Sequence, residues 1–343
     1  MNKLLLKFLV FFSTILFLIV LIEILIRLSG YKTTTTMFKP HSNPLISYTT
    51  LPNLKIKAGE IDVNTNSYGL RDYEYPIDKP SDVYRILVLG DSIIFASEVN
   101  FEDTTVKILE KMLNDPNSGH PERSEGSHKK YEVINFSVRG YSTVQEVNFF
   151  ETYVLEFKPD RVIICYCLND PEPVGTVIGK KFSFLRNLKN AIRERMYFID
   201  WMLQRYYAYK IRKYQKKELI SKGEYDYLRS LHKENSEGWK ETVDALKKLV
   251  NICENNKIEV LLIIPPSLDR GILGKEYPYK SIHLLVLKTC KQIGLDAVNI
   301  SSYFEKYTAQ ELQSSPNDYH FNAKGQKILA EAVFTELKKR NIK

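Results

Sequence analysis

The stretch Tyr84-Arg85-Ile86-Leu87-Val88-Leu89-Gly90-Asp91-Ser92 is an apolar run that halts at a glycine and delivers a hydroxyl. A continuous apolar, β-branched run of this length is the pattern of a strand buried on both faces of a parallel sheet. It sets Ser92 at the carboxyl end of that strand, the edge at which open α/β sheets bind ligands. Four further runs of the same kind follow at 133–136, 162–167, 260–264 and 297–300. Helical patterns alternate with them at about 103–114, 143–157, 237–256, 279–293 and 322–340. The alternation predicts an α/β fold, with a mainly parallel five-stranded sheet covered by helices on both faces. The last helix carries the cleanest signal. Asn322 is a capping residue, and Ile328, Leu329, Ala332, Val333 and Leu337 form one apolar stripe.

The chain of 343 residues is 44% hydrophobic and 26% charged, so it can bury a full core. Its four cysteines, Cys165, Cys167, Cys253 and Cys290, lie inside apolar runs, not at metal-ligand spacings. Cys165 and Cys167 share a strand face and are badly aimed for pairing with each other, so all four read as buried small hydrophobes.

The amino terminus has a different composition. No residue from Phe8 to Ile22 is charged, and the apolar character continues to Leu28, long enough for a bilayer-crossing helix. Lys3 and Lys7 precede the run, which favours a cytoplasmic amino end. Glu23 and Arg27 are spaced for a helical ion pair at its far end. A cleaved signal peptide would have a shorter core and an Ala-x-Ala site; Ser29-Gly30 is the only small pair here. Residues 1–30 are therefore read as a single uncleaved anchor, with the rest of the chain extracytoplasmic, periplasmic or on the cell surface.

Residues 31–80 are expected to form a small β-rich approach segment, with alternation at Leu54-Lys55-Ile56-Lys57 and a turn at Asn66-Ser67-Tyr68-Gly69. The main domain would occupy 81–343, interrupted by loop chemistry at 115–130 and by an insertion at about 171–236. Between Lys180 and Lys217 stand twelve basic and two acidic residues, an excess that exceeds the +8 of the whole chain. Leu185, Leu188, Ile192, Met196, Ile199, Leu203 and Tyr206 recur there with helical spacing. Three readings are open: an interfacial helix or lid on anionic lipid, an ordinary amphipathic helix packed on the domain, or a nucleic-acid surface. Export and the lack of a binding motif disfavour nucleic acid.

Acyl chemistry through a serine requires a base, an orienter for that base and donors for the oxyanion. His320 lies just before the last helix, on a loop at the same sheet edge, and is the candidate base. Asp318 is the candidate orienter, accepting from Nδ1 so that Nε2 faces Ser92. Gly140, after the second strand, offers an uncovered backbone N–H; Asn169, after the third, offers a side-chain amide; the N–H of Ser92 is the third donor. Each element is common by itself. Their succession, each just after a predicted strand, is the signal. No glycine-rich fingerprint follows the first strand, which disfavours a phosphate-binding domain.

These segments resemble the blocks of the SGNH hydrolase superfamily, the GDSL esterases and lipases, over residues 64–340. Gly90-Asp91-Ser92 matches the nucleophile block, Asn135 to Gly140 the glycine block, Asn169 the asparagine block and His320 the last block. The anchor followed by Asn66-Ser67-Tyr68-Gly69-Leu70-Arg71 resembles a membrane-anchored bacterial branch. The resemblance implies a three-layer α/β/α fold and ester hydrolysis with no metal or other cofactor, on substrates from lipids to acetylated sugars. Three positions depart from the pattern. Ile93 replaces a leucine, Cys167 stands where many members have glycine, and Asp318 is two residues before His320, not three.

The leading expectation is a membrane-anchored serine acyl or acetyl esterase acting on an acylated small molecule, lipid or glycan. Acyl transfer to or from a surface polysaccharide would use the same groups. A non-catalytic anchored scaffold is the reading from a different class, and the short Asp-x-His spacing is its best support.

Overall fold

Alternation along the first sheet strand divides its side chains between two cores. In the computed structural model, β5 (Val83–Leu89) is buried at every position. Ile86 and Val88 enter one apolar cluster; Leu87 and Leu89 enter the other. That is the two-residue period of a strand covered on both faces. The structure describes residues 3–29, 37–116, 130–172, 174, 196–199, 201–202, 205, 223–268, 273–316 and 318–340. Most of the loop at 115–130, most of the basic insertion and Asn317 lie outside the described residues.

The elements fall into two units, residues 1–36 with 179–224 and residues 37–178 with 225–343. In the first, α1 (Lys3–Leu28) runs for 26 residues with none buried. At 1.5 Å per residue it is about 39 Å long, more than the roughly 30 Å hydrocarbon core of a bilayer. It is long and apolar enough to cross a membrane, a property that a signal sequence near the amino terminus shares. Arg27 Nε donates to Glu23 Oε1 at 2.8 Å, as the spacing predicted. The Glu23 carboxylate also accepts the backbone N–H groups of Tyr197 and Phe198, at 3.1 and 2.8 Å.

In the second unit, β1 (Phe38–Pro40) pairs with β2 (Tyr48–Thr50), and β3 (Lys55–Ala58) with β4 (Ile61–Asn64), both antiparallel. The main sheet comprises β5, β6 (Lys130–Asn135), β7 (Arg161–Cys165), β8 (Glu259–Ile264) and β9 (Ala297–Asn299). Its order is β6-β5-β7-β8-β9, all parallel. The chain goes from β5 to one neighbour, β6, and then crosses to the other, β7. The reversal of direction is at β5, so the crevice of this sheet opens above its carboxyl end.

The helices segregate by face. On one side lie α4 (Thr143–Phe149), α6 (Glu237–Asn255) and α7 (Lys280–Gln292), with Val147, Leu246, Leu249 and Val286 buried against Leu87, Val162 and Leu262. On the other lie α3 (Thr105–Asn114) and α9 (Ala323–Lys339), with Leu109, Leu113, Leu329, Val333 and Leu337 against Ile86, Val133 and Ile163. This is the three-layer α/β/α arrangement. Two short helices, α2 (Ser92–Phe95) and α8 (Ala309–Leu312), belong to the same unit, and α5 is the helix Gly223–Leu231. The pattern expected as one helix over 143–157 is α4 followed by a π turn (Phe150–Val154) and a 3₁₀ turn (Leu155–Phe157), closed by Lys158 at φ +49°.

The approach segment belongs to the same packed unit as the sheet. Ile46, Tyr48, Leu70 and Tyr75 join the cluster under α4. Asn66 Oδ1 accepts from the N–H groups of Tyr68 and Leu70 and forms the expected turn. Gly69 sits at φ +83°, and a Cβ there would lie 2.6 Å from the Thr50 carbonyl oxygen, so the position requires glycine. Buried Arg71 donates to the carbonyls of Phe95 (2.9 Å), Ala96 and Val99 (2.8 Å). Asp72 pairs with Lys107 at 2.7 Å and accepts from the Asn135 N–H at 2.7 Å.

Candidate active site

β5 ends at Gly90, where a Cβ would lie 2.6 Å from Ile94 Cγ1. Without a side chain the backbone turns straight into α2. Asp91 caps that helix by accepting from the Ile93 N–H at 2.9 Å. Ser92, its first residue, lies at the switch point of the sheet.

His320 reaches Ser92 from 228 residues away, with Nε2 2.8 Å from Oγ. Its Nδ1 is 2.5 Å from Asp318 Oδ1, which also accepts the His320 backbone N–H at 3.2 Å. The segment expected to be a loop is a strand. β11 (Asp318–Phe321) pairs antiparallel with β10 (Gln313–Ser315) through an irregular register. Phe321 stacks on Phe304 with centroids 5.4 Å apart, and the Asn322 side chain accepts from the Gly325 N–H to cap α9. Gln326, on α9, donates to the Ile93 carbonyl at 2.9 Å and accepts from the Thr105 N–H at 3.0 Å. The histidine strand is thus tied to the serine turn through the last helix. Partial burial works against the Asp318 charge, but the hydrogen bonds and charge of His320 outweigh it and hold the carboxyl below its ordinary range.

The two other blocks arrive from the neighbouring strands. After β6, Val138 N–H donates to the Gly90 carbonyl at 3.1 Å, which pulls this loop across the serine turn. Gly140 follows at φ +77°, and Tyr48 OH donates to the adjacent Arg139 carbonyl at 3.0 Å. After β7, the Asp170 N–H closes a turn onto the Cys167 carbonyl at 3.0 Å, leaving Asn169 at its corner. The Cys167 thiol donates to Asp91 Oδ1 at 3.2 Å and links the ends of β5 and β7. All four cysteines are free and buried, as expected.

Sequence reasoning missed three features. Arg71 of the approach segment holds the carbonyls at the end of α2 and beyond it, and Asp72 pairs with Lys107 and accepts from the Asn135 N–H. Glu98 lies 4.0 Å from His320 Nδ1. Behind the turn, Glu146 and Asp170 are buried; Asp170 accepts from Thr143 Oγ1 at 2.7 Å, while among the described residues neither Glu146 oxygen has a hydrogen-bond partner. Burial first, and the nearby carboxylates second, push both carboxyls well above the ordinary range. Potential metal-ligating atoms converge in two places among the described residues, at Asp91, Cys167 and Asp170 and at Glu98, Asp318 and His320. In each place one atom is already engaged, the Cys167 thiol with Asp91 and His320 Nδ1 with Asp318.

A serine turn, a histidine strand and the loops after β6 and β7 at one sheet edge make a pattern that can be compared across proteins. The family model described as GDSL-like Lipase/Acylhydrolase matches residues 86–333. The chain belongs to this family. It is accordingly an ester-hydrolysing serine hydrolase of the SGNH superfamily, as the sequence blocks implied. Among solved structures, it is similar to TesA, with 18% identity, coverage of 74% of this chain and 98% of that one, and a TM-score of 0.42. It is also similar to an alpha/beta hydrolase from the metagenome of Lake Arreo, Spain, with 13% identity, 76% and 96% coverage and a TM-score of 0.45. A third similar structure is that of an acetylxylan esterase from Geobacillus stearothermophilus, with 15% identity, 74% and 94% coverage and a TM-score of 0.44. No curated protein sequence matches the chain.

Proposed function

We propose that this family member is a membrane-anchored acyl or acetyl esterase in which Ser92 is the nucleophile, His320 the general base and Asp318 its orienter. The observation that carries the reading is the 2.8 Å approach of His320 Nε2 to Ser92 Oγ, with Asp318 on the opposite ring nitrogen. Asp318 fixes the tautomer in which Nδ1 carries the proton, leaving Nε2 free to accept from Oγ. As Oγ bonds to the ester carbonyl carbon, its proton passes to Nε2, and the carbonyl oxygen becomes an oxyanion.

Three donors surround that oxygen in this reading: the N–H groups of Ser92 and Gly140 and the amide of Asn169. Among the described residues, none of the three is engaged in a hydrogen bond. They follow three adjacent parallel strands, β5, β6 and β7, at the same ends. Collapse of the tetrahedral intermediate returns the proton to the leaving alcohol. Water then repeats the sequence to release the acid. If a glycan hydroxyl replaces that water, the same groups transfer the acyl chain.

We further infer that α1 holds the enzyme in the membrane, with Lys3 and Lys7 on the cytoplasmic side and the hydrolase unit outside. The substrate is an acylated small molecule, lipid or glycan, and neither cofactor nor nucleic acid is called for.

The test uses the full chain purified in detergent. S92A is expected to lose turnover of p-nitrophenyl acetate by about 10⁴-fold or more and to lose labelling by a fluorophosphonate. Undiminished turnover by S92A overturns the reading. Adding an acetylated glycan and a free glycan, and following acetyl release against acetyl gain, separates hydrolysis from transfer.

A further inference from the structure

A second carboxylate stands beside the imidazole, outside the sequence blocks. Glu98 lies on the loop after α2, with Oε1 4.0 Å from His320 Nδ1. Its side chain is 12% exposed, against 38% for Asp318, so its charge is less screened by water. Asp318 Oδ1 is also shared between the ring Nδ1 and the His320 backbone N–H. The short Asp-x-His spacing therefore gives the imidazole a partly divided, partly solvated partner.

The loop that carries Glu98 is held in place. Ala96 turns it at φ +51°, and Arg71 grips the carbonyls of Phe95, Ala96 and Val99. Glu98 Oε1 accepts from Ser97 Oγ at 2.8 Å and from Arg139 Nη1 at 2.8 Å. Its Oε2 is buried with no hydrogen-bond partner among the described residues. Arg139 comes from the loop after β6, next to Gly140. A row of alternating charge thus runs from Arg139 through Glu98 to the base. Among the described residues, Asp318 on its own strand also faces His320, and Asp91 Oδ2 lies 3.5 Å from Ser92 Oγ.

We propose that Glu98 is a positioning residue for His320, sharing with Asp318 the stabilisation of the imidazolium that forms when Ser92 attacks, while Arg139 tempers its charge. The proposal rests on the serine-hydrolase reading of the site. Glu98 exchanges no proton. The Ser92 proton passes to Nε2 and on to the leaving alcohol, and Glu98 acts only through its field on the protonated ring.

The experiment measures kcat/KM for p-nitrophenyl acetate against pH, with the full chain in detergent. The acid limb of that profile reports protonation of the base in the free enzyme. Removing a nearby negative charge disfavours the protonated ring, so E98Q is expected to move the limb down by about half a pH unit. Its plateau is expected to fall by about fivefold, and E98D to recover part of the loss. R139Q leaves the Glu98 charge unopposed and is expected to move the limb the other way, to higher pH. A merely structural role would lower the plateau without opposite displacements. An E98Q limb that stays in place or moves up overturns the proposal. Should E98Q fail to fold, R139Q decides: an upward limb supports the proposal and an unmoved limb overturns it. S92A keeps the two readings apart. If S92A is active, the serine reading fails; if S92A is inactive while the limbs stay fixed, only the role of Glu98 fails.

Discussion

Cys167 stands where many members of the family have glycine. Its thiol donates to Asp91 and joins the turn after β7 to the turn after β5. The Asn169 side chain, partly exposed at the corner of its turn, makes no hydrogen bond of its own among the described residues. An amide serving as an oxyanion donor does its work in the transition state. N169A is therefore expected to lower kcat by about 10²-fold with little change in KM. A rise in KM at constant kcat would show that Asn169 binds the ground state and is no oxyanion donor. The places of Ser92, Gly140 and Asn169 after the first three sheet strands, and of His320 just before the last helix, were legible in the spacing of the apolar runs. Glu98 was not, because nothing local marks it; its approach to His320 exists only once residues 222 apart are folded together.

The sheet strands came out where their apolar runs put them, and the strand that carries the histidine did not announce itself. β5, β7 and β8 are dense in Val, Ile and Leu. The histidine strand β11 reads Asp-Tyr-His-Phe and pairs with Gln-Ser-Ser, so it carries no β-branched run to announce it. The bracing by Arg71 and the pairing of Asp72 with Lys107 were hidden for a related reason. Charged residues in a polar stretch look solvated, and only long-range partners make them buried. α1 is the opposite case, with a pattern too plain to miss but a role that composition leaves between anchor and signal. A retained span of 26 residues requires that the full chain stay in the membrane pellet through alkaline carbonate extraction. Deleting residues 1–29 should release the protein to the supernatant. Extraction of the intact chain into the supernatant, or a mature amino terminus beyond residue 29, would overturn the anchor.

At the scale of the whole molecule, buried ionisable groups make stability a function of pH. Glu146 and Asp170 hold their protons more tightly folded than unfolded, because burial and mutual repulsion disfavour their charges. The native state therefore binds more protons than the unfolded chain once pH exceeds the ordinary carboxylate range. Stability must fall as pH rises through that window, by up to about 1.4 kcal/mol per pH unit for each group still protonated. Asp72, pushed up to about 6 by burial despite Lys107, contributes the same sign up to that value. Buried His232 and His283, both lowered to about 4 by desolvation, contribute the opposite sign between there and their unfolded value of 6.5. The raw pH dependence mixes these terms, so the informative quantity is the difference between wild type and E146Q. Glutamine cannot ionise and imitates the protonated acid. E146Q is expected to gain on wild type steadily as pH rises from 5 to 8, measured as the urea midpoint of the full chain in detergent. Parallel curves across that range would mean that Glu146 is ionised in the folded protein. Some unseen positive charge would then have to lie beside it, since an isolated carboxylate at that depth is not sustainable.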